Sequence, residues 1–208
     1  MQTSLKGYSL LRQSQPLILA SASPRRRDLL HTLGLEFSIV QADVPEEILK
    51  GESPADFACR LAADKANAVA GQHEAVWVLA ADTIVVQEDG VILGKPGDIP
   101  EACAMLRSLA GCRHIVMTAY TLLNGKQEVS LNRLDQSSVT LMPLTEEMIS
   151  AYVATGEPMD KAGSYALQGI GGAFVHSIAG AHSTVIGLPL HLVLTDLLDL
   201  GIIGMQTP

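Results

Sequence analysis

Short continuous apolar runs alternate along this chain with segments of helical spacing, and Gly, Pro, Ser and Asn punctuate them. Residues 17–20 (LILA) read as a buried strand. Ser23 then suits a helix N-cap, Pro24 the first helical position and Gly34 the place beyond its end. LEFSIVQ at 35–41 predicts another strand. A second helix opens with Ser53-Pro54 and runs to about Gly71; its apolar face passes through Phe57 and Leu61 and then meets Lys65 instead of a hydrophobe. AVWVLAA at 75–81 is of buried-strand type, and Asp82-Thr83 separates it from Ile84-Val85-Val86. EDG at 88–90 predicts a turn and GKPGD at 94–98 a loop. A helix follows to about Ala110, closed by Gly111. Residues 113–123 and 127–142 flank Asn124-Gly125, a hairpin signal. Thr145 suits a helix cap with Glu146 and Glu147 in the first turn, where the dipole favours them. A glycine-rich stretch, 160–174, precedes a strand around 173–178. The run LPLHLVLTDLLDLGIIG at 188–204 predicts a buried C-terminal helix from about Pro189. Strand and helix signals in this alternation imply an α/β fold.

Composition sharpens the picture. With 208 residues and 48% apolar content the chain is long enough for a sizeable core. Asp196 and Asp199 in the last apolar run argue against a membrane span. No charged segment followed by a long apolar one opens the chain, so no secretory signal is expected. Three cysteines without CxxC spacing read as reduced residues, and all of this points to the cytoplasm. A net charge of −8 gives no general attraction to nucleic acid, so any anionic ligand needs a local cationic cluster.

That cluster stands in SASPRRR at 21–27. A Ser-rich turn entering a helix aims free backbone N–H groups at one spot, and Arg25 and Arg26 add fixed cations there. The dipole alone opposes cations at that end, a conflict that a phosphate would resolve; the other reading is a solvated basic turn. Asp82, inside an apolar run, must be paired, bound to a metal or placed at an exposed strand end. It suits Mg²⁺ coordination or proton acceptance from water, or a structural role bonding backbone amides. Lys65 either reaches a ligand or snorkels, and Lys95 sits in a rigid Gly-Lys-Pro loop or is an ordinary surface lysine. Gly163, Gly169, Gly171 and Gly172 permit close backbone approach, while Gln168 can read a base edge; a tight connecting loop is the alternative. His114, in an apolar strand, reads as a satisfied core residue or as one that stands behind the site and supports it. HExxH, GxSxG, Walker A and dinucleotide fingerprints are missing.

The ordered motifs LILASASPRRRDLL, RLAADKA, LAADTIVV, GKP, HIVMT, DKAGSYALQGIGGAFV and VIGLPL together resemble the Maf family of nucleoside triphosphate pyrophosphatases over about residues 17–200. The resemblance implies one domain over 16–208 after an N-terminal extension, 1–15. It implies an inosine-triphosphatase-like (Maf/Ham1-type) mixed sheet with flanking helices, two lobes around a cleft, and a homodimer. It also implies hydrolysis of a nucleoside triphosphate between the α and β phosphates with Mg²⁺ or Mn²⁺. By position Asp82 is the catalytic base or metal carboxylate, and Ser21, Arg25, Lys65 and Lys95 hold phosphates. Glu46 falls near the family's second acidic site residue, with Pro45 where Asp is expected and Glu47 as the alternative. Arg26, Thr83 and Gln168 occupy the positions of nucleobase choice. Members like this chain act on dTTP and UTP. The 7-methyl-GTP branch carries a bulky residue before the arginine pair, Ser-Asp-Gln, and Glu in place of Gln168. A nucleotide-binding regulator of septum formation is the reading from another class. No nucleic-acid or membrane partner is expected.

Overall fold

A computed structural model of the chain describes residues 10–73, 75–124, 126 and 129–206. In chain order the elements are β1 (Leu11–Gln13), β2 (Leu17–Leu19), α1 (Pro24–His31), β3 (Ser38–Ile39), α2 (Pro54–Ala70), β4 (Trp77–Gln87), β5 (Ile92–Leu93), α3 (Ile99–Leu109) and β6 (Arg113–Asn124). They continue with β7 (Val129–Leu141), α4 (Glu146–Ala154), β8 (Val175–Ala179), α5 (His182–Ile186), α6 (Leu190–Asp199) and β9 (Ile203–Met205). The main sheet runs β3-β2-β4-β6-β7-β8, with β5 added beside β4. β3 and β4 lie parallel to β2, whereas β6, β7 and β8 follow as antiparallel neighbours. The sheet is therefore mixed and flanked by helices, as the sequence implies.

Strand periodicity decides what faces what. Along β4, Val78 and Ala80 pack on Ala66, Val69 and Ala70 of α2, and Ile84 and Val86 pack on Phe57, Ala58, Leu61 and Ala62 of the same helix. Asp82 shares this parity and is turned toward α2. The other face carries two apolar clusters. Trp77, Leu79 and Ala81 join Leu29 and Leu30 of α1 and Val193 and Leu197 of α6. Val85 joins Leu106 and Leu109 of α3 and Ile149 and Val153 of α4. Thr83 lies between those two clusters, opposite Thr118 of β6 in the ladder.

The edge of β4 that faces away from β6 supplies the opening. β2 pairs with residues 77–79 of β4 and β5 with residues 85–86. After Ala20, whose N–H reaches the Leu79 carbonyl at 2.8 Å, the chain turns away into α1. Residues 81–84 therefore present a free edge, and side chains from both faces of the strand reach the same space. Ligands collect where neighbouring strands diverge in this way.

Several local expectations need correction. Asp82 and Thr83 do not interrupt the strand; β4 runs through them, because the carboxylate finds a partner on α2. The strand over 35–41 shrinks to Ser38–Ile39, an exposed pair bonded only to short β2. The strand around 173–178 begins at Val175, because Ile170–Phe174 closes as a 3₁₀ turn. The C-terminal helix ends at Asp199 and does not reach 204. Gly201, at φ +65°, takes the left-handed position while the Ile202 N–H returns to the Leu197 carbonyl at 3.0 Å, a helix stop that only a flexible residue makes cheaply. The chain then forms β9, which pairs antiparallel with β1. Ser53 and Thr145 cap their helices as expected, but Ser23 makes no side-chain cap. β6 and β7 form the expected hairpin, and its turn residue Gly125 lies outside the described residues.

Candidate active site

A cavity of about 900 Å³ opens at the free edge of β4. Its lining includes Ser21, Arg25, Arg26, Glu46, Lys65, Asp82, Thr83, Lys95 and Gln168, whereas Gly163, Gly169, Gly171 and Gly172 are not part of it and pack instead against Val85, Glu157, Tyr152 and Leu167. Five cationic side chains (Arg25, Arg26, Lys65, Lys95, Lys161) and four carboxylates (Glu46, Asp82, Glu157, Asp160) line it. The wall is thus formally positive by one in a chain of net −8, which answers the need for a local anion attractor.

The polar centre is Lys65. It stands one turn beyond Leu61 on the apolar face of α2, so the helix that buries Phe57 and Leu61 also carries its ammonium to the strand. Its Nζ donates to Asp82 Oδ1 at 2.6 Å and to Glu46 Oε1 at 2.6 Å. Asp82 is buried, so its mid-strand carboxylate is the paired case anticipated from sequence, and its partner is the Lys65 ammonium, not a set of backbone amides. Of the two adjacent glutamates, Glu46 enters the cavity, whereas Glu47 offers its backbone carbonyl to Arg60. Burial works against the charged form of Glu46. The Lys65 hydrogen bond and charge, with Lys95 and Arg26 beyond, nevertheless hold its carboxyl below the usual range. Lys95, mostly exposed, lies 3.9 Å from the other Glu46 oxygen.

A second group forms at the start of α1. Arg26 spreads its guanidinium over three acceptors: Nε donates to the Gly187 carbonyl at 2.9 Å, Nη1 to Ser21 Oγ at 3.3 Å and Nη2 to Thr83 Oγ1 at 2.9 Å. Burial pulls its pKa below the ordinary guanidinium value, with Asp82 opposing that shift. Ser21 also accepts from the Ser23 N–H at 3.2 Å. Both accepted bonds leave the Ser21 hydroxyl proton for an incoming oxygen. Arg25 is half-buried on the other side; burial lowers its pKa and the fields of Asp160, Tyr152 and Glu157 oppose that. Arg27, the third of the run, turns outward and pairs with Asp28 at 3.1 Å.

The glycine-rich stretch closes the far side. Glu157, which sequence reasoning passed over, accepts from Tyr152 Oη at 2.8 Å and from the Ile170 and Gly171 N–H groups at 3.0 Å each. Burial opposes its charge, but those donors hold its carboxyl below the usual range. Gly169 passes so close that a Cβ would lie 2.7 Å from the Glu157 carboxylate oxygens, at a φ of +145°. Gln168 precedes this anchored turn. Tyr165 also lines the cavity, and its hydroxyl meets buried His114 Nε2 at 2.8 Å. The signal for Glu157 was the turn Gly156-Glu157-Pro158 beside the quoted motif; an isolated acid in a loop has no spacing to reveal its partners.

Among the described residues no group of three or more His, Cys, Asp and Glu side chains forms a metal cage. Asp82 and Glu46 still converge on one nitrogen, and two carboxylates completed by phosphate oxygens and water are a donor set that suits a hard divalent cation. No helix among the described residues is long and apolar enough to cross a membrane.

Comparison with known proteins matches residues 16–200 to a family described as Maf-like protein. A dTTP/UTP pyrophosphatase of Geobacter metallireducens (strain ATCC 53774 / DSM 7210 / GS-15) is 47% identical over 189 residues, covering 91% of this chain and 98% of that protein. One from Desulfotalea psychrophila (strain LSv54 / DSM 12343) is 49% identical over 191 residues, covering 92% and 97%. Among solved structures, the Staphylococcus aureus Ham1 protein aligns with a TM-score of 0.43 and 14% identity, over 61% of this chain and 72% of that chain.

Proposed function

This chain belongs to the Maf-like protein family, and on that premise we propose that it hydrolyses dTTP and UTP to the monophosphate and pyrophosphate. The observation that carries the proposal is the convergence of Asp82 and Glu46 on Lys65, inside a cavity that Arg25, Arg26 and Ser21 also line.

In this reading Arg25, Lys65 and Lys95 neutralise the phosphates, and Ser21 donates its free proton to a phosphate oxygen. Water oxygen bonds to the α-phosphorus as the bridge to the β-phosphate breaks; pyrophosphate leaves with the bridging oxygen. Asp82 takes the water proton, and its Lys65 partner keeps the carboxylate oriented for that transfer. Asp82 and Glu46 would hold a divalent cation, Mg²⁺ or Mn²⁺, which when bound supplies further charge neutralisation. Arg26, Thr83 and Gln168 take the nucleobase. Thr83 and Gln168 also separate this chain from the 7-methyl-GTP reading, since they stand where that branch carries Gln and Glu.

Initial rates with dTTP, UTP, CTP, GTP and 7-methyl-GTP, in Mg²⁺ or Mn²⁺, test the substrate assignment. The expected outcome is turnover chiefly of dTTP and UTP. A preference for 7-methyl-GTP would overturn the roles given to Arg26, Thr83 and Gln168.

A further inference from the structure

HIVMT at 114–118 reaches the cavity through Val116 and through His114 behind Tyr165, but its last residue has no part in the site described so far. That residue, Thr118, is wholly buried on β6, directly across the ladder from Thr83 and between the two apolar clusters on that face. Thr118 Oγ1 lies 2.7 Å from the Thr184 carbonyl and 3.0 Å from Thr83 Oγ1. A carbonyl only accepts, so the single Thr118 proton goes to Thr184. Thr83 already accepts from Arg26 Nη2 at 2.9 Å, and its own proton has the Thr118 oxygen as its partner. The donors therefore run one way, from Arg26 to Thr83 to Thr118 to the Thr184 carbonyl. Reversing the middle bond would leave the Thr118 and Thr184 oxygens facing each other with no proton between them, which burial makes costly.

The consequence appears at the cavity. With its proton committed, Thr83 has only a lone pair left to offer there. Uracil and thymine carry an N–H at ring position 3, whereas cytosine carries a lone pair at that atom. We infer that Thr118 is a positioning residue for base choice: it fixes the Thr83 hydroxyl as an acceptor, so that the cavity favours pyrimidines bearing a ring N–H over cytosine. The inference rests on the proposed reading that the base sits at Arg26, Thr83 and Gln168. A buried polar site of fixed polarity discriminates more strongly than an apolar pocket does, because the wrong partner leaves two acceptors opposed.

The test compares kcat/KM for UTP and CTP in the wild type, Thr118→Val and Thr118→Ser. Valine keeps the shape but removes the acceptor, which frees the Thr83 hydroxyl to donate to cytosine. The expected result is a UTP/CTP ratio at least about tenfold lower in Thr118→Val, restored in Thr118→Ser. A merely structural role would lower both substrates together, and an unchanged ratio in a folded Thr118→Val protein overturns the inference. If valine prevents folding, Thr118→Ala is read by the same ratio. A wild type that does not prefer UTP over CTP would instead overturn the reading beneath it, so the two failures are distinct.

Discussion

Lys65 Nζ stands 2.6 Å from Asp82 Oδ1 and 2.6 Å from Glu46 Oε1, one ammonium joining a strand carboxylate to a loop carboxylate. Without it two like charges would face each other at the mouth of a cavity meant for an anion. With it half of that charge is offset in advance and the pair is held at a fixed geometry, the condition under which charged groups act without reorganising.

Replacing Asp82 by Asn keeps the size and the hydrogen bond but removes the base. The expected fall in kcat is about 10²–10⁴-fold, with little change in thermal stability, since Lys65 retains Glu46. Steady-state kinetics and a melting curve on one preparation check this. Full activity in Asp82→Asn would sink the assignment.

Lys65→Met removes the bridge and leaves Asp82 and Glu46 without the ammonium between them, with only Lys95 and Arg26 farther off. The expected cost is about 1–3 kcal/mol at neutral pH. In the wild type the Glu46 carboxyl is held below its usual range, so its contribution to stability is present above the ordinary carboxylate pKa and is lost as pH falls through the lowered value. In Lys65→Met the same proton relieves repulsion, so the gap between the two proteins should narrow from pH 7.5 to about 3, below the ordinary carboxylate value. Urea denaturation at both pH values measures the gap, and a constant difference would contradict the bridging role.

How far the chemistry could be read along the chain depends on how local its causes are. Ser53-Pro54 and Thr145 announce their helices within four residues, and Asp82 declares itself by standing in an apolar run. The choice of Glu46 over Glu47 is invisible in the chain, because it depends on where a loop of 40–53 sets its backbone against α2. β9 was hidden inside an apolar run whose helical part ends at Asp199, and its partner β1 lies at the opposite end of the chain. Thr118 looked like one more strand residue. Its polarity comes from a carbonyl 66 positions away on α5, an element too short for periodicity to show.

His114 supplies a separate test. Burial lowers its pKa from 6.5 to about 4, and its Nδ1 has no hydrogen-bond partner among the described residues. The unfolded chain binds this proton before the folded one does. Stability from the neutral ring is therefore full above pH 6.5 and is lost as pH falls toward 4, on the order of 3 kcal/mol in all. His114→Asn should show a shallower fall across that window; an identical slope would contradict it.

Glu157→Ala unties the turn after Gln168 by stripping the acceptor from Tyr152 and from the Ile170 and Gly171 amides. The expected result is a rise in KM for dTTP of about tenfold with a smaller change in kcat, because the loss falls on base placement. Glu157→Gln, which keeps one acceptor oxygen, should lie between. Equal losses in kcat and KM would place Glu157 among purely structural residues.

The most direct measurement follows the products of UTP turnover by ³¹P NMR, for wild type and Asp82→Asn side by side in Mg²⁺. The account expects UMP and pyrophosphate in equal amounts from the wild type and at least about a hundredfold less of both from the variant over the same time at the same protein concentration. UDP with inorganic phosphate, or unchanged products and rate from Asp82→Asn, would contradict it.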